Sequence, residues 1–416
     1  MKKYLVCILM LSSLMACVEP FEFQSETFEN ALVIQASLTN ENKQHQVILS
    51  RAIRFEDTIA SPERNAQVMI RDEAQNEFAF QETDAGTYIS NLSFAALRGV
   101  KYTLNVLTVD GTEYISESES FEEESAITNV YAERGTNDNG EAGMNIYIDG
   151  EDASGNSEYY RYEYEETYKI IAPNWTSVDF KLTNYQPCNP DPGDPSIIYD
   201  LEVSSRDEEQ QVCFKTLNSQ KIIQNSSANL SASEVRRFPI RFIAEDDFIL
   251  SHRYSILVKQ LVQSANAFSY YQNLKNFTSS NSVFSEIQPG FLAGNITAQN
   301  DEEKKVLGYF EVASVSESRL FFDYRDFYPD EPIPMYVNSC VPFSAPLEHV
   351  SYCFQGDAGP NPCTQSLIER MNINLISYVD QYDGAEMCAG PYLVVARECG
   401  DCTTLGSNIV PDFWVD

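Results

Sequence analysis

The sequence predicts a mainly β protein, with an N-terminal immunoglobulin-like β-sandwich followed by a larger, disulfide-braced β-rich domain carrying a minor helix. Three observations carry that expectation. From residue 29 onward, short segments alternate apolar and polar residues and are split by turn residues. Aromatic residues reach 12%, with 24 Tyr and 24 Phe, a bias that suits pleated, half-buried strands. The cysteines left in a mature chain all lie beyond residue 180, so the front of the protein must be held by packing alone.

The first element is a leader. Lys2 and Lys3 precede an apolar run, Tyr4 to Met10, that continues to Ala16 and Cys17. It falls well short of the roughly 20 residues that span a bilayer, so residues 1-16 read as a signal peptide. Leu14-Met15-Ala16-Cys17 resembles the lipobox of bacterial lipoproteins, in which the cysteine thiol is acylated and becomes the first residue. Residues 17-28 then form a lipidated tether. Glu19, Phe21 and Glu22 match the acidic, Phe-containing tags that send Bacteroidota-type lipoproteins to the outer leaflet.

Seven strand-like segments follow within 29-122: 31-38, 46-53, 66-72, 77-83, 86-92, 101-109 and 113-121. Asp84-Ala85-Gly86 and Asp110-Gly111 supply the positive-φ positions that hairpin turns require, and this spacing predicts the sandwich. The acidic stretch 121-125 marks a boundary, with the β-rich domain running from 126 to 416.

In the second domain, 144-150, 158-171 and 252-263 read as strands, and 305-322 as two more. Tyr160, Tyr162 and Tyr164 share one face, opposite Arg161, Glu163 and Glu165. That face is either an aromatic inner layer or a stacking surface for a sugar or partner chain, and period-two aromatics favour the former. Residues 185-212 read as an exposed loop. Ser264 is placed to cap a helix whose Phe268, Tyr271, Leu274 and Phe277 form one apolar stripe.

Of the ten cysteines, Cys7 leaves with the signal and Cys17 takes the lipid. Cys188, Cys213, Cys340, Cys353, Cys363, Cys388, Cys399 and Cys402 remain. An even number in an exported chain reads as disulfides. Cys188 and Cys213 flank one insertion, which suggests a bridge between them. The Cys399-Gly400-Asp401-Cys402 motif lacks the further ligands that zinc requires and precedes a turn-like sequence. It reads as the start of two separate disulfides rather than as a redox centre.

Composition excludes some functions. The formal charge of -34 becomes -36 once Lys2 and Lys3 leave, which opposes binding to nucleic acid or to anionic headgroups. His45, His252 and His349 are far apart, and no HExxH, GxSxG, P-loop or dinucleotide fingerprint is present. No catalytic or metal-binding residues are assigned, and no cofactor is expected. Calcium is the remaining candidate, in loops 136-141 and 149-158, but neither follows the EF-hand register.

The assembled segments resemble a family of Bacteroidota outer-membrane lipoproteins, domain-of-unknown-function family 4249. The resemblance rests on ALVIQASLTN, RNAQVMIRDE, DAGTYIS, RGVKYTLNVLTVDGTEY, YSILVKQLVQSANAFSYYQNLK, GNITAQNDEEKKVLGYFEVASV and the closing ECGDCTTLGSNIVPDFW, in that order. The family carries no assigned activity, so no catalytic residue transfers. Its members often accompany TonB-dependent receptors. The chain departs from the helical repeats of starch-utilisation lipoproteins.

The expectation is therefore a non-catalytic, outward-facing outer-membrane lipoprotein. It would be an accessory or ligand-capture partner of a TonB-dependent receptor, with a small-molecule or peptide ligand. A cell-surface hydrolase using a carboxylate pair or a distant Ser-His site, and an adhesin or structural surface protein, are the alternatives.

Overall fold

The computed structural model describes residues 31-52, 61-152, 155-191, 193-228, 234-279, 292-299, 301, 304-359, 363 and 366-415. Cys17, Glu19, Phe21 and Glu22 lie outside these. The described chain is mainly β, as the sequence predicts.

The first strands are β1 (Leu32–Thr39), β2 (Gln46–Arg51), β3 (Ser61–Pro62), β4 (Gln67–Asp72), β5 (Glu77–Asp84), β6 (Thr87–Ser90), β7 (Tyr102–Leu107) and β8 (Glu113–Ser116). All seven expected strands are present, and Gly86 and Gly111 turn with φ of +74° and +81°. The middle of the chain adds β9 (Ala126–Thr136), β10 (Ala142–Glu151), β11 (Tyr159–Ile171), β12 (Val178–Gln186), β13 (Ile198–Ser205), β14 (Val212–Asn218), β15 (Ile223–Ser226), β16 (Glu234–Ala244) and β17 (Arg253–Val262). Helix α1 (Ala265–Ser279) follows, and Ser264 caps it by accepting from the Ala267 N–H at 3.2 Å. Beyond it come β18 (Ile296–Ala298), β19 (Val306–Asp323), α2 (Tyr324–Phe327), α3 (Leu367–Asn372), β20 (Ile376–Gln381), β21 (Tyr392–Ala396) and α4 (Arg397–Gly400).

Two expectations about these elements are corrected. Residues 305-322 form the single strand β19, because the alternation runs unbroken across both cores that it serves. Residues 185-212 are not one open loop: they take in the end of β12 and all of β13, in register from Val178↔Ser205 to Thr183↔Asp200, and leave the Pro/Asp-rich hairpin tip and 206-211 as loop.

Three cores organise the molecule. The first is enclosed by the path β1-β2-β6-β5-β4-β7-β8-β18. It buries Leu32, Leu49, Tyr88, Val106 and Phe310 to within 0% exposure, and Ile296, Val306 and Val312 from beyond residue 290 complete it. Each such side chain contributes about 1.5–3 kcal/mol on leaving water. The second core lies between β14-β11-β17-β19 and the three-stranded sheet β16-β10-β9, where Met144, Ile146 and Ile148 meet Tyr160, Tyr162, Tyr254 and Ile256. The tyrosine face is thus inner core. The third core is small, with Leu367, Ile368, Ile376 and Val394 packed beside β12-β13 and β20-β21.

β19 joins the first two cores. It runs parallel to β1 from Leu32↔Val306 to Thr39↔Ala313, then antiparallel to β17 from Val262↔Ser314 to Arg253↔Asp323. Its even-numbered side chains enter the cores in turn, Phe310 and Val312 the first, Leu320 and Phe322 the second. The approach of β1 is so close at Gly308, φ +133°, that a Cβ there would sit 2.0 Å from the Ile34 carbonyl oxygen. Only glycine fits such a position.

All eight expected cysteines are in disulfides, but the suggested Cys188–Cys213 bridge is wrong. The pairs are Cys188–Cys353, Cys213–Cys402, Cys340–Cys399 and Cys363–Cys388, with Cα separations of 5.3, 5.7, 5.5 and 5.5 Å. Strand β13 separates them: Cys213 is fully buried in the second core, whereas Cys188 lies in the tip of the β12-β13 hairpin, beside the third. As expected, Cys399 and Cys402 diverge into two bridges.

Candidate functional site

Strand alternation that fills the cores with even-numbered β19 residues leaves Leu307, Tyr309, Glu311 and Val315 on the opposite face. There β1, β19, β17 and β11 present one surface spanning both cores, and α1 lies across it through its predicted stripe. The result is a groove of two joined lobes. The polar lobe, about 630 Å³, is lined by Glu41, Lys43, Arg161, Glu163, Lys221 and Lys259, among others. The second lobe, about 670 Å³, is mostly apolar, with Val33, Ile48, Leu274, Phe277 and Leu307. Ser37, Gln46, Arg161, Glu163 and Tyr271 line both. Each volume falls in the range of small-molecule sites, roughly 300–1,000 Å³.

Arg161 is the hinge of this geometry. Its guanidinium lies 4.6 Å from the Tyr271 ring centroid, donates to Glu311 at 2.5 Å and pairs with Glu163. Burial works against its charge, but Glu311, then Tyr271 and Glu163, outweigh that and raise its pKa. Glu311 is 1% exposed and also accepts from Gln263 at 2.5 Å, so that pair is fixed; the Glu163 side chain is 50% exposed. Burial followed by Glu311 holds the Tyr271 hydroxyl in its neutral form. Across the polar lobe, Lys259 bridges Glu41 and Glu317 at 3.4 and 3.3 Å. Burial would raise the Glu41 pKa, yet Lys43 and Lys259 hold it below the usual carboxylate value.

Beneath α1, Glu119 accepts from the Tyr309 hydroxyl at 2.5 Å and from Asn295 at 3.2 Å. Burial raises its pKa despite these donors. A second charged cluster lies at the third core. Asp179 pairs with Arg206 at 2.8 Å and Arg397 at 2.5 Å, and Arg397 also reaches Asp401 at 2.6 Å. Asp401 sits between the buried Cys399 and Cys402 and accepts from the Thr403 N–H, so the motif is a structural joint.

The histidines do not assemble a site. His45 is buried, with its Nε2 2.9 Å from the Phe94 carbonyl. His349 contacts Glu369 at 2.8 Å, and burial lowers the His252 pKa. No hydroxyl bonds to an imidazole among the described residues. Nor do three or more His, Cys, Asp or Glu side chains among them gather as metal ligands. In the loops considered for calcium, Asn137 accepts from the backbone of Asn139 and Glu141, and Asp152 from that of Asn156 and Ser157.

Sequence reasoning weighed the tyrosine face of β11 and passed over the residues opposite. Arg161 and Glu163 carried a signal, since an Arg between two buried tyrosines on a central strand must face something polar.

A family model described as a domain of unknown function, DUF4249, matches residues 18-319. The chain belongs to that family. The matched span takes in the first core, the groove-forming strands through most of β19, and α1. It ends before the last six cysteines, so the closing CGDC segment lies beyond it. Comparison with curated proteins gives no match.

Proposed function

We propose that this family member is a non-catalytic lipoprotein of the outer membrane that captures a ligand in the α1 groove and works beside a TonB-dependent receptor. The observation that carries the reading is the groove itself. It is large enough for a small ligand, and its innermost charges are held in ion pairs rather than arranged as nucleophile and base. No helix among the described residues is long and apolar enough to cross a membrane. Attachment in this reading comes from acyl chains on Cys17, each buried methylene contributing about 0.8 kcal/mol. The segment from Cys17 to Ala31 extends at most about 50 Å. Confinement at that distance raises the effective concentration of a neighbouring barrel enough for a modest interface to persist. Glu19, Phe21 and Glu22 would direct export to the outer face.

Affinity capture of the tagged protein from detergent-solubilised outer membrane tests the reading. Stoichiometric recovery of a TonB-dependent barrel is expected. Recovery of the lipoprotein alone, or an unchanged membrane location for Cys17→Ser, would overturn it.

A further inference from the structure

The groove joins one apolar lobe to one polar lobe, and the polar lobe is richer in cations than the protein as a whole. The whole chain carries 62 acidic and 28 basic residues, whereas this lobe is lined by four cations, Lys43, Arg161, Lys221 and Lys259, and three carboxylates, Glu41, Glu163 and Glu165. Arg161 stands where the lobes meet. It has one permanent partner, the enclosed Glu311, and one replaceable partner, the half-exposed Glu163. Its Nε is buried without a hydrogen-bond partner, so the guanidinium retains donor capacity.

We propose that the groove binds a small anionic amphiphile, its hydrocarbon chain between Leu274, Phe277 and Leu307 and its acidic head on Arg161 in place of Glu163. This names the ligand class for the capture role proposed above and rests on that reading. The chain gains by leaving water along the apolar lobe. A carboxylate or phosphate head matches the planar guanidinium, and such charge-assisted bonds are the stronger kind. Lys221, exposed at the rim, adds attraction, while the negative charge elsewhere is screened beyond about 8 Å at physiological salt. Glu163 occupies the head position when no ligand is bound, and takes the guanidinium face that Glu311 leaves free. Binding is then an exchange of one carboxylate for another, with Glu163 turning to solvent.

The test is calorimetric titration of the lipid-free Cys17→Ser chain, which needs no detergent, with dodecanoate below its micelle concentration. Dodecanol and dodecyltrimethylammonium serve as neutral and cationic comparisons. One-to-one binding of dodecanoate is expected, with the cationic probe at least about tenfold weaker. Glu163→Gln should tighten dodecanoate binding severalfold by removing the competing carboxylate, without affecting dodecanol. Leu274→Asp should weaken all three probes, and Lys221→Glu dodecanoate alone. Arg161→Gln should remove the preference for dodecanoate over dodecanol; if it folds poorly, Glu163→Gln and Lys221→Glu still decide the matter. Equal binding of the cationic probe, no response to Glu163→Gln, or no binding of dodecanoate would overturn the assignment. A null titration alongside successful recovery of the receptor would reject the ligand class and leave the capture role standing.

Discussion

The first and third cores solve the same problem by different means. The first buries an unbroken series of large side chains from nine strands and contains no cysteine. The third has seven buried apolar residues, two short hairpins and one six-residue helix, and is held by bridges. Cys188–Cys353, Cys363–Cys388 and Cys340–Cys399 lie within that region, while Cys213–Cys402 ties it to the second core. Small cores bury too little surface to offset chain entropy and need such cross-links. Around the CGDC motif, the Asp179, Arg206, Arg397 and Asp401 charges brace it further, with burial depressing the Arg206 pKa despite its acidic neighbours. The groove stands on the ladder held by packing, and the family match covers that ladder and stops short of most of the braces.

The sharpest break of this comparison is at Phe310, fully buried at the point where β19 enters the first core. Phe310→Ala should cost about 3–5 kcal/mol in denaturant unfolding, through lost transfer and a cavity. A loss confined to the third region would contradict the packing account. Next is the double change Cys213→Ser with Cys402→Ser, expected to cost about 2–5 kcal/mol. Its effect should appear as raised proteolytic nicking of 340-402, with β1 and β7 intact.

A smaller effect separates the regions by pH. Burial, only partly offset by the Phe94 carbonyl and reinforced by Lys43, depresses the pKa of His45 below its ordinary 6.5. The unfolded chain therefore takes a proton that the folded chain refuses. Stability of the first core is complete above about pH 6.5 and declines as pH falls through the depressed folded value, below which the loss is constant. His45→Gln should flatten that decline in Tyr-based unfolding curves between pH 7 and 5, and an unchanged slope would show that another group is responsible. Smaller still is Ser264→Ala, which removes the cap of α1 and should cost about 1 kcal/mol, read as faster amide exchange in the first turn of the helix.

Much of this was legible in the residues. Strands β1, β2, β4, β5, β6, β7 and β8 follow from period-two patterning and glycine turns, because each has one face in a core and one in solvent. Strand β9 carries no such pattern, since its burial is slight and it lies at the edge of its sheet. Strand β16 was hidden by Arg236, Arg237 and Pro239; the proline is tolerated where the pairing shifts register on another edge. The cysteine pairing depends on long-range topology that no local spacing encodes. The groove escaped notice for a related reason: β1, β11 and β19 become neighbours only through the parallel β1-β19 pairing.

Hydrogen exchange of the intact chain, with and without dithiothreitol, separates the region held by packing from the region held by bridges. Reduction should expose amides of 178-205 and 340-402 to rapid exchange, while β1, β17 and β19 beneath the groove stay protected. Loss of protection in all of these together, as one cooperative unit, would contradict that division.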